Sequence, residues 1–398
     1  MSIGVYYIES TNEDSEVINR YNRDLIEELG RCGKLDIEFC RLLDLASHDL
    51  PVVFIGGGGV ENRFKEICGQ LEGKVFLLAT AKNNSLAASM EILSYLRNIG
   101  RQGQIIHGSV KSMAEKLASL EKVYGVRKRL SHFVLGRVGK PSDWLISSDV
   151  DAEESERRNG IKIIDISREE LLTEFRKGEY EDNQYTRLIK AKGVYIEETE
   201  RCCQLYGALK RIAVKYHLNG LTVRCFDLLQ YKVTGCLALA VLNAEGIYAS
   251  CEGDVPALVS MCVLGELSGK PVFMANPSSI DTDNETMVFA HCTLPISMPA
   301  SFEIMTHFES GLPVAFRGKI EEGPITVFKC SGLMDRMFVS SGVLLENMNE
   351  RNLCRTQIRV KLNKQALAYF FNESIGNHHL IVNGDYSELV RQYFETMN

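Results

Sequence analysis

"GIYASCEGDVPALVSMCVLGELSGKPVFMAN", residues 246–276, sets out a whole structural unit in one line. "GIYASC" is a short apolar strand, residues 255–268 are an apolar helix, and "KPVFMAN" is a second strand. Between the first strand and the helix stand Glu252, Gly253 and Asp254. Two carboxylates at the mouth of an apolar segment either cap a helix or reach something outside it. Asp254 stands immediately before Val255-Pro256 and suits an N-cap, whose side-chain oxygen accepts a free backbone N–H of the first turn. Glu252 is not needed for that purpose. Ligands of parallel α/β sheets bind beyond the carboxyl ends of strands, which is where this reading puts Glu252 and Asn276, on the two strands flanking the helix.

The same alternation runs upstream. "IGVYYIES" (3–10), "PVVFIGGGGVENRFKEI" (51–67), "GKVFLLATAKNNSLAASMEILSYLRNIG" (73–100) and "GQIIHGS" (103–109) read as strands followed by helices. A second series starts at "SHFVLGRV" (131–138) and continues through "GIKIIDIS" (160–167) and "GLTVRCFDLL" (220–229). Strands alternating with helices predict parallel, doubly wound, Rossmann-like sheets. Beyond residue 285 the pattern changes to short alternating strands separated by turns, such as "TMVFAHCTLP" (286–295), "PITVFKCSG" (324–332) and "RTQIRVKL" (355–362). That predicts an antiparallel barrel or sandwich. The expected organisation is α/β throughout, with two Rossmann-like units at 1–130 and 131–285 and a β-barrel-like domain at 286–398.

The chain has 398 residues, 45% of them apolar and 24% charged, which suits a globular protein of more than one core. A net charge of −7 argues against a broad surface for nucleic acid or anionic membrane. No basic start or cleavage-like site follows Met1, and no apolar run is long enough to span a bilayer. The 12 cysteines form no CxxC pair and mostly sit in apolar runs, so they read as free buried thiols in a reducing cytoplasm.

"GGGG" at 56–59 joins a strand to a helix and could present amides to an anion. It lacks both the dinucleotide fingerprint and the GK[ST] of a phosphate loop, so a tight turn is the preferred reading. The remaining polar residues that break apolar strands are Asn276 and Asp281, His291 in "FAHCT", and His378 and His379 in "GNHHLIVNG". Glutamate and histidine donors suit Mn²⁺, Mg²⁺ or Zn²⁺. In "HH" strand alternation lets only one ring face a site.

"CEGDVPAL", "AHC" and "GNHHLIV" occur in the order seen in the superfamily of L-fucose isomerase and L-arabinose isomerase. With "TVRCFDLL" and "NNSLAASMEIL", the chain resembles its shorter, fucose isomerase-like members. The resemblance implies an aldose–ketose isomerase acting through an ene-diol, with a divalent metal, Mn²⁺ first. It places metal ligand and base on Glu252, a metal ligand on His378, and a further histidine on His291. The family's second acid falls at Ala275 or Asn276, and neither is acidic. An asparagine can ligate through its amide oxygen but cannot accept a proton. Either another acid substitutes, from Asp254, Asp281 or Asp283, or the frame serves a lyase reaction or sugar binding. The resemblance also implies a cytoplasmic homo-oligomer, a trimer or hexamer, with a neighbour's first domain closing the site through Asn84 and Ser85. Helix capping is the competing reading of those two residues. Arg224 could hold an anionic group on the sugar or pair with Asp227. Trp144, the single tryptophan, could stack on a sugar face or pack in the interior. Lys210 and Lys232 carry no mark of a Schiff-base lysine.

Overall fold

A computed structural model describes residues 2–10 and 15–396. They form two compact units, Met1–Arg127 with Gln392–Asn398, and Lys128–Arg391.

In the first unit, β1 (Ser2–Ile8), β2 (Asp36–Phe39), β3 (Leu50–Ile55), β4 (Val75–Ala79) and β5 (Gly103–Ile106) form a parallel sheet in the order β2-β1-β3-β4-β5. Alternate side chains of β3 explain the two layers. Val52 and Phe54 pack with Leu25, Leu29 and Leu117, while Val53 and Ile55 pack with Phe64, Ala88 and Ile92. A sheet covered on both faces needs strands that are apolar on both faces, as β3 and β4 are. The glycine turn after β3 is a packing device. A Cβ on Gly57 would lie 2.2 Å from Asn83 Nδ2, and Gly58 donates its N–H to Asn83 O at 2.8 Å. The hollow is filled by the chain's own 80–84 loop, as the tight-turn reading expects.

The second unit contains a parallel sheet and a barrel. β6 (Val134–Val138), β7 (Lys162–Ile166), β8 (Gly220–Val223) and β9 (Tyr248–Cys251) are parallel in the order β7-β6-β8-β9. β10 (Phe273–Asp281), β11 (Thr286–His291), β14 (Gly323–Cys330), β15 (Met337–Asn347), β16 (Thr356–Lys361) and β17 (His379–Asn383) close an antiparallel barrel, and β12 (Ser301–Thr306) with β13 (Pro313–Lys319) forms a separate hairpin.

The strand "KPVFMAN" therefore differs from its expected place. It does not extend the parallel sheet but pairs antiparallel with β11 and β17 inside the barrel. Phe273 and Ala275 join the barrel core beside Phe289, Ile325 and Ile381. Period-two alternation looks the same in either setting, and only the ladder partner decides. The helix Val255–Ser268 packs on β8 and β9 and also on β14 and β17. An element sandwiched between sheet and barrel must be apolar all round, which is how its sequence reads. Among the described residues no helix is long and apolar enough to cross a membrane. All 12 cysteines are free thiols, most of them buried.

Candidate active site

The site begins where β9 ends. Glu252 and Gly253 both adopt left-handed backbone, with φ of 64° and 72°. A β-carbon makes that conformation unfavourable, so Glu252 carries local strain of the kind that accumulates at functional sites. The neighbouring loop enforces the turn. Glu252 O accepts the N–H of Ser142 at 2.9 Å, and a Cβ on Gly253 would lie 2.6 Å from Lys140 O. The turn swings the Glu252 carboxylate inward, where it is almost wholly buried.

Two histidines meet that carboxylate. His378 Nε2 lies 3.6 Å from Glu252 Oε1, and His291 Nε2 lies 4.0 Å from the same oxygen. The three donor atoms lie within 4.8 Å of one another, a grouping able to surround a metal ion. Trp144 donates its indole N–H to the other oxygen, Oε2, at 2.6 Å. The indole is 52% exposed and stands edge-on to Phe226, with ring centroids 4.8 Å apart. A half-exposed aromatic thus rims the acid and orients it.

The rings differ in what they offer. His378 donates Nδ1–H to Asp254 Oδ2 at 2.8 Å, while its Nε2 is fully buried and has no hydrogen-bond partner. A carboxylate behind Nδ1 fixes the tautomer whose Nε2 lone pair faces a metal. In His291, Nδ1 accepts the N–H of Thr293 at 3.1 Å. Its remaining proton therefore sits on Nε2, on the side of Glu252, and is left available for donation. Proximity alone admits His291 as a third ligand, but its tautomer favours donation.

Electrostatics follow the same division. Burial pushes Glu252 up, but the adjacent His378 first, then the charge of His291 and the hydrogen bond from Trp144, outweigh it and leave the carboxyl below its ordinary value. Burial likewise opposes the charge on His378, yet Asp254 and Glu252 hold its imidazolium up to about 9. Burial and the charge of His378 push His291 down to about 3, so it stays neutral. Asp254 is held well below the carboxylate range despite its burial, because the charges of Lys329 and His378 outweigh desolvation. Asp254 is also the N-cap of its helix, with Oδ1 accepting Ala257 N–H at 2.8 Å. Capping and the bond to His378 are thus shared between its two oxygens. The orphaned Nε2 beside an ionised carboxylate fits a divalent ion of N/O preference.

Asn276 stands one residue beyond the last ladder pair of β10 and β17. The β10–β17 ladder runs Phe273↔Ile381, Met274↔Leu380 and Ala275↔His379, and Asn276 pairs with Ala290 of β11. Asn276 Oδ1 accepts from Asn377 Nδ2 at 3.3 Å. His379 points the other way, among Phe289, Phe338, Tyr369 and Phe370, with Tyr369 OH on its Nε2. Arg224 is committed to Asp143 at 2.8 Å, Asp227 at 3.2 Å and the carbonyl of Pro141, so it ties the end of β8 to the loop bearing Trp144. Ser85 is fully buried in the first unit, donating to Ile55 O and accepting from Thr80 N. Asn84 heads the same helix in left-handed backbone with no side-chain cap hydrogen bond. Lys210 pairs with Glu245 at 3.0 Å.

Sequence reasoning missed Lys329 and His307, the latter edge-on to Phe226 beside Trp144. Lys329 is 1% exposed, and its Nζ lies 3.8 Å from Asp254 Oδ1. A lysine inside the apolar run "ITVFKC" was a readable anomaly, since a buried lysine needs a partner. His307 sits in an ordinary polar turn and carries no such signal.

No family model matches the chain. It is similar to the sulfoquinovose isomerases of Priestia aryabhattai and Priestia megaterium, at 24% identity in each case, over 77% of this chain and 72% of each relative. The sulfoquinovose isomerase of a Clostridium species is 28% identical over a shorter stretch, covering 32% of this chain and 28% of the relative. These similarities support an isomerase enzyme that acts on a sugar derivative.

Proposed function

We propose that this protein is a divalent-metal-dependent aldose–ketose isomerase whose substrate is an anionic sugar, with sulfoquinovose the first compound to try. The observation that carries this reading is the buried, partnerless Nε2 of His378 facing the Glu252 carboxylate. Glu252 and His378 would hold the ion, Mn²⁺ first, with the amide oxygen of Asn276 as a weak neighbouring donor. When bound, such an ion polarises the sugar carbonyl as a Lewis acid. The chain's own residues do the rest. Glu252 takes the proton from the carbon beside the carbonyl, Trp144 holds that carboxylate in place, and His291 donates Nε2–H to a sugar oxygen. The low-dielectric surroundings strengthen each of these contacts. A cytoplasmic trimer or hexamer, in which the first unit of a neighbour closes the site, completes the proposal.

Asn276 favours a second reading, a lyase or sugar-binding protein on the same frame, because an amide cannot replace a proton-accepting acid. The test is metal content after purification with Mn²⁺, followed by NMR of candidate sugars in D₂O. We expect near one equivalent of metal in the native protein and none in Glu252→Ala or His378→Ala. With sulfoquinovose we expect deuterium at the carbon beside the carbonyl. Both variants should lose turnover by ~10⁴-fold or more, having lost the ion and, in one case, the base. Cleavage products would indicate the lyase, and binding without exchange would indicate the sugar-binding protein.

A further inference from the structure

The indole of Trp144 donates to the Glu252 carboxylate, yet burial does little to hold it there. The side chain is half exposed, and Phe226 meets it edge-on. A single N–H···O bond of 2.6 Å needs its donor placed to within about 0.5 Å. The loop that carries the indole, residues 139–146, is neither helix nor strand. Leu145 N–H on Ser142 O, at 2.8 Å, closes a turn around Trp144, and Ser142 N–H on Glu252 O, at 2.9 Å, joins that turn to the acid.

A second tie comes from the end of β8. Arg224 donates Nη1–H to the carbonyl of Pro141, Nη2–H to Asp143 Oδ2 at 2.8 Å and Nε–H to Asp227 Oδ1 at 3.2 Å. Its backbone N–H is fixed on Val138 O at 3.0 Å, and a Cβ on Gly139 would lie 3.2 Å from Arg224 Cβ, so the arginine stem runs along the start of the loop. The two contacts with the loop are unequal. The Asp143 side chain is 87% exposed, and a pair with so open a carboxylate contributes little. The carbonyl of half-buried Pro141 receives a charged donor, a contact about twice as strong as a neutral hydrogen bond. Pro141 stands one residue before Ser142 and three before Trp144, so holding its carbonyl places both ties to Glu252.

We infer that Arg224 is a positioning residue for the base. By holding Pro141 O it sets the Ser142–Trp144 turn on Glu252, rather than binding the anionic group of a substrate, and this inference rests on the isomerase reading above. With Trp144 on Oε2, the other oxygen is kept toward His378 and His291. Without the guanidinium, the loop loses its anchor at Pro141, the indole swings toward solvent, and the carboxylate is free to turn.

Trp144 is the single tryptophan, so fluorescence of the metal-free protein reports this one contact. The experiment compares wild type, Arg224→Met, Arg224→Lys, Asp143→Asn, Trp144→Phe and the Arg224→Met/Trp144→Phe double variant. Emission and acrylamide quenching are read without metal; metal content, kcat and KM for sulfoquinovose are read after loading with Mn²⁺. In Arg224→Met we expect red-shifted emission, stronger quenching and about one equivalent of metal, with kcat lowered ~10–10²-fold and KM within about threefold of wild type. Arg224→Lys should recover part of both changes, since a lysine can still donate to Pro141 O, and Asp143→Asn should stay near wild type. Trp144→Phe should lower kcat as Arg224→Met does, and the double variant should lower it no further than Trp144→Phe alone. A raised KM with kcat retained in Arg224→Met would make the arginine a substrate contact and overturn the inference. Unchanged emission, or kcat losses that multiply in the double variant, would overturn it too. So would loss of metal or of the fold in Arg224→Met, which would make the role structural. Each of these leaves the isomerase reading standing. A wild type that loads metal yet exchanges deuterium into no aldose or ketose overturns both.

Discussion

The protein turns from strand into helix at the end of β3 and again at the end of β9, and the two turns are equivalent in topology. Both lie at the carboxyl edge of a parallel sheet, where α/β proteins bind ligands. The first, Gly56–Gly59, is filled from within by Asn83, which takes the space of the missing Gly57 side chain. Ser85 nearby spends its hydroxyl on Ile55 O and Thr80 N. The second turn does the opposite. Its left-handed residue is a glutamate rather than a glycine, and it faces a histidine nitrogen with no partner. The location is shared, and what separates packing from a site is whether polar atoms are left over once the backbone is satisfied.

The widest effect is expected from the residue that supports the second turn from below. Lys329, Asp254 and His378 form a buried line of alternating charge. Replacing Lys329 by Met keeps the bulk and removes the cation, leaving Asp254 to His378 and its capping bond alone. Loss of one partner from a buried pair costs about 3–5 kcal/mol, and we expect the lower end because His378 still answers Asp254. Urea denaturation of K329M, D254N and the double variant measures it. The double variant should cost less than the sum of the singles. Additive costs would show that Lys329 does not act through Asp254, and the charged line would then be incidental.

A smaller effect comes from pH. His378 is held up to about 9 in the folded protein without metal, against an unfolded value of about 6.5. A raised group stabilises fully below its unfolded value, and the contribution is lost as pH rises through the folded one. The metal-free protein should therefore lose thermal stability between about pH 6.5 and 9, and His378→Asn should flatten that slope. Metal competes with the same Nε2 proton, so binding should tighten over the same interval. The Gly56–Gly59 turn contributes no slope, since Asn83 and Ser85 do not ionise. A wild-type melting profile flat across that interval would remove the charged network from the account.

Much of this was legible in the sequence, and the remainder was hidden for physical reasons. Period-two and helical spacing found both parallel sheets and the antiparallel barrel, because burial of alternate faces is a local pattern. The capping role of Asp254 was local too, needing only Val255-Pro256 beside it. Strand β10 was assigned to the wrong sheet because Phe273 and Ala275 alternate identically in either ladder. The tautomer of His378 and the commitment of Arg224 to Asp143 both depend on partners distant in the chain. The resemblance supplied Glu252 and His378, but it could not say what stands behind them.

The smallest predicted effect bears most directly on the comparison of the two turns. Gly57→Ala places a methyl carbon 2.2 Å from Asn83 Nδ2 and 3.0 Å from Ser10 Oγ. Both are side-chain atoms, and Asn83 can swing aside at the loss of its bond to Ser10. Overpacking of this kind costs about 1–3 kcal/mol, and the lower end is expected where a side-chain tip can yield. If the first turn is packing alone, Gly57→Ala should lower the melting temperature slightly and leave metal content, kcat and KM at wild-type values. A variant that melts like wild type but turns over slowly would reverse the conclusion. The glycine turn would then be presenting Asn83 or Asn84 to a substrate, and the two turns would differ in which site they complete rather than in whether they serve one.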